Sequence, residues 1–247
     1  MFKYGYELVE YCEKEKKCIS TVALEEEAQQ GDCTVQDVRL AGLFNKYGVK
    51  ATFNVNSELL GKKNELIRKG VRVCHDKLTE DQIARVYSGH EVACHSLTHP
   101  TLQDIEDDDE VVRQIEEDRK NLEKIVGYDI CGMAYPNHGR DVDRVAEIIR
   151  TRTKIKYART TNDSHNFDLQ SDLLQFKPTV HHDDYDELFR LAEEFLNLKA
   201  DEPKLFYIWG HSFEFDIFND WDKFEEFLKL ISRRDDIFYG TNREVLL

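Results

Sequence analysis

Short runs of β-branched and aromatic residues alternate with longer amphipathic segments along this 247-residue chain, and this alternation constrains its fold more than any other feature. A strand, a helix and a second strand in succession pack as a parallel pair joined by a right-handed crossover. Strands are predicted at residues 18–24, 50–55, 91–94, 130–135, 156–160, 174–179, 205–209 and 238–240. Helices are predicted at residues 35–47, 79–88, 107–126, 140–152, 185–198 and 221–232. Seven or eight such units in one domain favour an α/β fold of the β/α-barrel type over an open sheet.

The chain is predicted to form one domain over residues 1–247, with residues 1–17 as an N-terminal extension. Its four prolines and twelve glycines form no linker-like stretch that would mark a boundary. The acidic run at residues 106–110 is interpreted as the solvated start of a helix rather than a cation site, because the helix dipole favours acids at that end.

Composition excludes some partners. The formal net charge is −15, and an acidic surface repels a phosphate backbone, so no nucleic acid partner is expected. No segment reaches the ~20 apolar residues that span a bilayer, so no membrane partner is expected either. The six cysteines lack CxxC spacing, and the N-terminus lacks an apolar run of signal-peptide length. These features predict a cytoplasmic protein with reduced thiols and indicate no particular oligomeric state.

The segment GHEVACHSLTHP is the strongest functional signal. A short predicted strand at residues 91–94 leads directly into His95, and His99 follows four residues later. Two imidazoles at this spacing can face one ion if the loop turns helically. Catalytic zinc sites use about three protein ligands and leave a position open for water. The pattern therefore indicates a metal site at the exit of this strand.

The same segment resembles the H-[ST]-x-x-H-P motif of the NodB-type polysaccharide deacetylases, which are related to carbohydrate esterase family 4. Further likenesses follow in that family's order: LFNKYGVKATFNVNSELLG at 43–61, AYPNHG at 134–139, LFYIWGHSFEF at 205–215 and FYGTNREV at 238–245. The resemblance covers residues 18–247. It implies a single-domain, distorted (β/α) barrel of about seven parallel strands, related to the TIM barrel.

The resemblance also implies a reaction: removal of an acetyl group from an N-acetylated or O-acetylated saccharide, or from a related small amide. One divalent metal is expected, zinc first, with cobalt, nickel or iron as alternatives. A metal-bound water has its pKa lowered to about 7, and the same ion polarises the carbonyl. A base must take the proton of the water, and an acid must protonate the departing group.

The resemblance places the metal on Asp32, His95 and His99. An alternative for Asp32 is capping of the helix that begins near residue 35. The family's general base, the first aspartate of a pair, falls on Gly31, which has no proton-transfer group. Glu25 and Glu26, directly after the first predicted strand, are the candidates to replace it.

His211 corresponds to the family's acid histidine, with a buried structural histidine as the alternative. The backbone N–H of Tyr135 corresponds to an oxyanion donor. The arginine that precedes this motif in the family is absent, since Met133 and Ala134 stand there. Arg159, at the end of a neighbouring predicted strand, is a candidate to supply the guanidinium, with an ordinary salt bridge as the alternative.

His182 and Trp209 are predicted to contact substrate. Because adjacent residues of an extended chain point oppositely, one member of the His181–His182 pair is expected to face the site. Other functions stay open. A catalytically silent carbohydrate-binding relative would explain Gly31 and the missing arginine. A hydrolase of non-sugar C–N bonds would use the same fold, and a barrel with purely structural histidines is the third alternative.

Overall fold

The computed structural model describes the backbone of residues 17–23, and residues 33–138 and 140–247 with their side chains. The strands are β1 (Lys17–Ala23), β2 (Ala51–Val55), β3 (Glu65–Arg68), β4 (Val71–Cys74), β5 (Glu91–Cys94), β6 (Gly132–Ala134), β7 (Tyr157–Arg159), β8 (Val180–His181), β9 (Lys204–Trp209) and β10 (Phe238–Gly240). The α-helices are α1 (Asp37–Tyr47), α2 (Glu80–Val86), α3 (Asp108–Val126), α4 (Asp143–Arg152), α5 (Tyr185–Asn197), α6 (Glu214–Phe218), α7 (Trp221–Ile231) and α8 (Asn242–Leu246). Single 3₁₀ turns occupy Ser57–Leu59, Leu102–Asp104 and Leu173–Gln175.

The main sheet is parallel, in the order β7-β6-β5-β2-β1-β9-β8, and β10 pairs with the first half of β1. The sheet closes through the segment that precedes β8. The Phe176 N–H donates to the Ala158 carbonyl at 3.0 Å, and Val180 and His181 pair with β9 on the other side. Residues 176–181 thus touch both β7 and β9. The predicted distorted barrel of about seven parallel strands is confirmed.

Burial explains why the strands read as apolar runs. Every residue of β2 and β5 is buried, as expected where helices cover one face of a parallel sheet and barrel side chains fill the other. Phe53 on β2 stacks on Tyr87 with ring centroids 4.1 Å apart. Each fully buried side chain of this size stabilises the fold by about 2–3 kcal/mol. In the part of the chain that the structure describes, no helix is both long and apolar enough to cross a bilayer.

The acidic run at residues 106–110 starts a helix, as predicted. The Asp107 side chain accepts a hydrogen bond from the Asp109 N–H at 2.9 Å and caps α3. The first turn is acidic, which suits the positive end of the helix dipole. The helix ends at Gly127, whose φ of 78° is the left-handed conformation that glycine adopts without strain.

The predicted strands differ from the observed ones at two places. The strand predicted at residues 174–179 begins with a 3₁₀ turn, because the Asp172 side chain accepts from the Leu174 N–H at 3.0 Å and bends the chain there. The β3–β4 hairpin was not predicted at all. Its strands are short and largely exposed, so they show no buried apolar run, and its turn places Lys69 and Gly70 at φ 50° and 78°.

Candidate active site

The predicted functional residues of the described chain lie at one end of the barrel, because the carboxyl ends of parallel strands meet there. His95 directly follows β5, and His182 directly follows β8. Arg159 is the last residue of β7, and His211 lies two residues after the end of β9. The fold therefore brings together side chains that are far apart in sequence.

His95 and His99 form a pair of buried rings with centroids 4.5 Å apart and planes at 72°. The His95 Nδ1 lies 3.0 Å from the Ala134 carbonyl oxygen. A carbonyl only accepts hydrogen bonds, so Nδ1 carries the proton and Nε2 carries the lone pair. Neither ring nitrogen of His99 has a hydrogen-bond partner among the residues that the structure describes. This donor arrangement fits a divalent cation bound between the two rings.

Electrostatics keep both rings neutral. Burial, and next the His99 ring, hold the pKa of His95 well below its usual value. Burial, and next the Lys77 ammonium, lower the pKa of His99 to about 3. A histidine binds a metal ion through an unprotonated ring nitrogen. At neutral pH both rings are therefore ready to bind a metal ion without first losing a proton.

The histidine loop, residues 95–99, brings its two imidazoles together without a helical turn. Ser96 and His99 adopt positive φ angles of 65° and 63°, which cost about 1–2 kcal/mol each for residues other than glycine. The Asn56 side-chain amide donates to the carbonyls of His95 and Ser96 at 2.5 and 2.8 Å. The His99 N–H donates to the Ser96 hydroxyl at 3.2 Å. These hydrogen bonds hold the loop in the strained shape that brings the two rings together.

Helix α3 supports the same loop from behind. The buried Asp118 carboxyl accepts from the His95 N–H at 3.0 Å and from the Ser57 N–H at 2.7 Å. The Gln114 carbonyl accepts from the Leu97 N–H at 3.0 Å. Burial raises the pKa of Asp118 to about 8, against the lowering effect of these backbone donors. Asp118 and Gln114 were not recognised from the sequence, where they are ordinary polar residues of an amphipathic helix.

Lys77 and His75 add a buried cation beside the pair. The Lys77 ammonium nitrogen lies 3.3 Å from the His75 Nδ1, and both side chains are buried. Burial, and next Lys77, lower the pKa of His75 to about 3, so its ring is neutral. Neither residue was recognised from the sequence, because both follow the hairpin that was not predicted. The positive charge of Lys77 lowers the pKa of His99 and favours anionic groups on that side of the site.

A second group of side chains, the histidine–glutamate cluster, consists of His181, His211 and Glu214. The His211 Nδ1 lies 2.8 Å from the Glu214 Oε2, and the His181 Nε2 lies 3.5 Å from the same oxygen. His211 and Glu214 are buried, whereas the His181 side chain is 16% exposed. Glu214 was missed because it is the first residue of α6, a helix of five residues that the sequence did not predict.

The cluster contains groups with opposed pKa shifts. Burial, and next the His181 and Arg159 charges, hold the pKa of His211 well below its usual value. Burial also lowers the pKa of His181, but the hydrogen bond with Asp183 and the charge of Glu214 outweigh it, and the net pKa is raised. Burial raises the pKa of Glu214. Within this cluster the pKa of one imidazole is raised and that of the other is lowered, whereas both imidazoles of the histidine loop have lowered pKa values.

His181 and His182 do not point oppositely as predicted. The His182 Nδ1 lies 3.8 Å from the Glu214 Oε2, so both rings approach the same carboxylate. The reason is that β8 ends at His181, and the alternation of side chains ends with it. His182 is fully buried, with its ring centroid 4.4 Å from that of Phe215, and the more accessible ring is that of His181.

Arg159 and Trp209 lie against each other in the barrel. The guanidinium carbon of Arg159 lies 4.4 Å from the Trp209 ring centroid, and the Trp209 Nε1–H donates to the Asp163 carboxylate at 2.6 Å. Arg159 is buried, and its charge lowers the pKa of both His95 and His211. The structure thus places a guanidinium near both groups of histidines. One face of the predicted substrate-contacting tryptophan is covered by this arginine.

Tyr135 departs from its predicted role. Its backbone N–H donates to the Arg159 carbonyl at 3.0 Å, and its hydroxyl donates to the Leu174 carbonyl at 2.8 Å. The predicted oxyanion donor is therefore engaged in the β6–β7 ladder, because the extended chain continues one residue beyond β6.

Asp32, Glu25 and Glu26 lie outside the described residues. The N-cap position of α1 is Gln36, whose side chain makes no capping hydrogen bond. Asp37, five residues after Asp32, lies within the described residues. It is buried and accepts a hydrogen bond from the Tyr87 hydroxyl at 2.5 Å, and burial raises its pKa to about 6.

Comparison with known proteins agrees with this architecture. The family model described as polysaccharide deacetylase matches residues 30–155, slightly more than half of the chain. The chain therefore belongs to the polysaccharide deacetylase family. No match was found among the curated proteins.

Several solved structures share the fold. A probable polysaccharide deacetylase from Pseudomonas aeruginosa is 13% identical, with a TM-score of 0.68 and coverage of 95% of this chain and 90% of that one. The PuuE allantoinase is 13% identical, with a TM-score of 0.66 and coverage of 98% and 96%. A mutant of a CE4 family pseudoenzyme is 16% identical, with a TM-score of 0.52 and coverage of 94% and 68%. The chain spans about half the length of two other relatives, 54% of a Streptococcus pyogenes deacetylase and 55% of a Bacillus cereus polysaccharide deacetylase.

Proposed function

We propose that this protein is a metal-dependent hydrolase that removes acetyl groups from an N-acetylated or O-acetylated saccharide. The observation that carries the proposal is the histidine loop, where two buried, neutral imidazoles lie with ring centroids 4.5 Å apart. Family membership supplies the reaction class. The loop supplies two ligands for the metal, and Asp32 is proposed as the third.

The cation proposed here is divalent, zinc first. When bound, it supplies an acidified water and polarises the acetyl carbonyl. The residues of the chain hold it in place. The Ala134 carbonyl fixes the His95 tautomer, and Asn56 and Asp118 fix the backbone from which the rings project. Such outer contacts orient metal ligands and strengthen their hold on the ion.

Proton delivery to the departing group is proposed for His211. Once the ring is protonated, the carboxylate of Glu214, 2.8 Å from its Nδ1, stabilises the positive charge. His181 touches the same carboxylate and is the partly exposed member, so it connects the cluster to solvent. Arg159 adds a fixed positive charge at the end of the barrel where the histidines lie, and this charge favours an oxyanion there.

The base is proposed to be Glu25 or Glu26, since Gly31 stands at the position where the family has a carboxylate. The same glycine favours a second candidate function, a carbohydrate-binding relative without turnover. Both candidates require a bound saccharide, and they differ in whether acetate is released.

Acetate release separates the two. We expect the zinc-loaded protein to release acetate from at least one of three substrates: chitin oligomers, peptidoglycan fragments and acetylated xylan. His99→Ala, treated identically, should release acetate about 10⁴-fold more slowly. Binding of these saccharides without acetate release would favour the silent relative. Hydrolysis of a cyclic amide such as allantoin in place of all three saccharides would move the substrate to non-sugar C–N bonds.

A further inference from the structure

We infer that the histidine–glutamate cluster of His181, His211 and Glu214 is a second divalent-cation site, and that its occupation removes His211 from proton transfer. The consequence for turnover rests on the proposed function. The binding itself rests on separate residues and can be measured without turnover.

The distances fit a metal ion. One nitrogen from each imidazole and one oxygen of Glu214 lie within 4.8 Å of one another. The Glu214 Oε2 is 2.8 Å from the His211 Nδ1 and 3.5 Å from the His181 Nε2. Bonds of about 2.0–2.2 Å to nitrogen and oxygen place neighbouring ligand atoms about 3–3.5 Å apart. Little side-chain movement is needed to close the triad around one ion.

Two members of the cluster have buried polar atoms that form no hydrogen bond within the described residues. Among the residues that the structure describes, neither ring nitrogen of His211 has a hydrogen-bond partner, and the same holds for the Glu214 Oε2. The short approach of these two side chains is thus not aligned as a hydrogen bond. Both residues are nearly fully buried, at 4% and 2% exposure. Buried polar atoms without partners are costly, and a cation at their meeting point would satisfy them together.

The surrounding contacts resemble those of a metal site. The Asp183 Oδ1 lies 2.6 Å from the His181 Nδ1, which leaves Nε2 of that ring directed to the cluster. A carboxylate on the second nitrogen is the usual support of a metal-binding histidine. The Arg68 guanidinium binds the other oxygen of Glu214, at 3.1 Å, and leaves Oε2 for the ion. The arginine also adds a positive charge, so this site should be the weaker of the two.

Two imidazoles and one carboxylate select zinc, nickel, cobalt or iron(II) over magnesium and calcium. The partly exposed His181 provides the side from which the ion enters. An ion bound to the His211 Nδ1 would occupy the nitrogen that faces Glu214, so that carboxylate could no longer stabilise a protonated His211 ring. Excess metal should therefore inhibit an enzyme that needs a smaller amount of metal for activity.

The test is a zinc titration of the chelator-stripped full-length protein against a chromophoric competitor. We expect about two equivalents, one tight and one weaker. His99→Ala should lose the tight equivalent, and Glu214→Gln should lose the weaker one. Asp183→Asn should lower the zinc affinity of the weaker equivalent about 10- to 100-fold.

The control is Glu65→Gln, which removes an exposed carboxylate paired with Arg72 and should leave both equivalents unchanged. Circular dichroism confirms folding, and His181→Asn, at a partly exposed position, replaces Glu214→Gln if that variant fails to fold.

The outcomes separate the two sites. A weaker equivalent that is lost in Glu214→Gln and kept in His99→Ala supports the second site. If the protein binds no zinc, or if every bound equivalent survives both Glu214→Gln and His181→Asn, the second site is overturned. Retention of both equivalents in His99→Ala would instead count against the proposed function and leave the second site standing.

Discussion

The histidine loop and the histidine–glutamate cluster contain the same type of side chain at the same end of the barrel, yet they are built differently. In the loop, both imidazoles are neutral, and the backbone around them is held by Asn56 and Asp118. In the cluster, the imidazoles contact the carboxylates of Glu214 and Asp183, and Arg68 pairs with Glu214. The loop therefore contains no charged ligand of its own, whereas the cluster mixes both signs of charge.

The same fold thus gives histidine side chains two different electrostatic environments. Burial without a carboxylate keeps an imidazole unprotonated and available as a metal ligand. In the cluster, the hydrogen bond with Asp183 and the charge of Glu214 raise the pKa of His181 despite its burial, whereas burial holds the pKa of His211 well below its usual value. The loop is therefore suited to holding an ion, and the cluster to proton transfer, which a second cation would block.

The largest expected effect is that of His99→Ala. It removes one of the two imidazoles of the loop, so the protein should lose its tightly bound metal. Acetate release should fall about 10⁴-fold, which corresponds to about 5 kcal/mol of transition-state stabilisation. Metal analysis of the purified variant, alongside turnover, checks this expectation. Undiminished turnover in a variant without bound metal would contradict the role of the histidine loop as the metal site of the reaction.

A smaller effect is expected for His211→Asn, which breaks the cluster and leaves the loop intact. The value of kcat should fall about 10³-fold, as for loss of a positioned acid, with little change in KM. The tightly bound metal should stay at the wild-type level. Loss of that metal would show that the two regions are not separate.

The support of the loop is tested by Asn56→Ala. The variant removes the amide that donates to the carbonyls of His95 and Ser96 and frees the strained loop to relax. Metal affinity should fall about 10- to 100-fold, as for other contacts that orient metal ligands. Competitive zinc titration measures the change. An unchanged affinity would mean that the loop keeps its shape without this amide.

Asp37 lies outside both regions, so its substitution should leave metal binding unchanged and alter only the pH dependence of stability. Its pKa is raised from 3.8 to about 6 by burial, so the folded state binds this proton more tightly than the unfolded state. The contribution of Asp37 to the free energy of unfolding should therefore be highest below about pH 4 and fall as the pH rises to about 6. Asp37→Asn should remove this fall, which amounts to up to about 3 kcal/mol. Urea unfolding at a series of pH values compares the two, and parallel pH profiles would contradict the assignment.

The loop could be predicted from the sequence because strand β5 and both imidazoles lie within residues 91–99. The barrel could be predicted because its strands are buried apolar runs separated by amphipathic helices. The cluster could not, since it depends on distances between residues 181, 211 and 214 and on a helix of five residues. Asp118 was missed for a related reason: its role is set by backbone N–H groups of other elements, which leave no pattern in the sequence.

The most direct test of the central claim is anomalous diffraction at the zinc edge from crystals of the zinc-loaded protein. We expect a peak about 2.0–2.1 Å from Nε2 of His95 and equally close to a ring nitrogen of His99. A map in which zinc lies elsewhere, with no peak between these two rings, would contradict it.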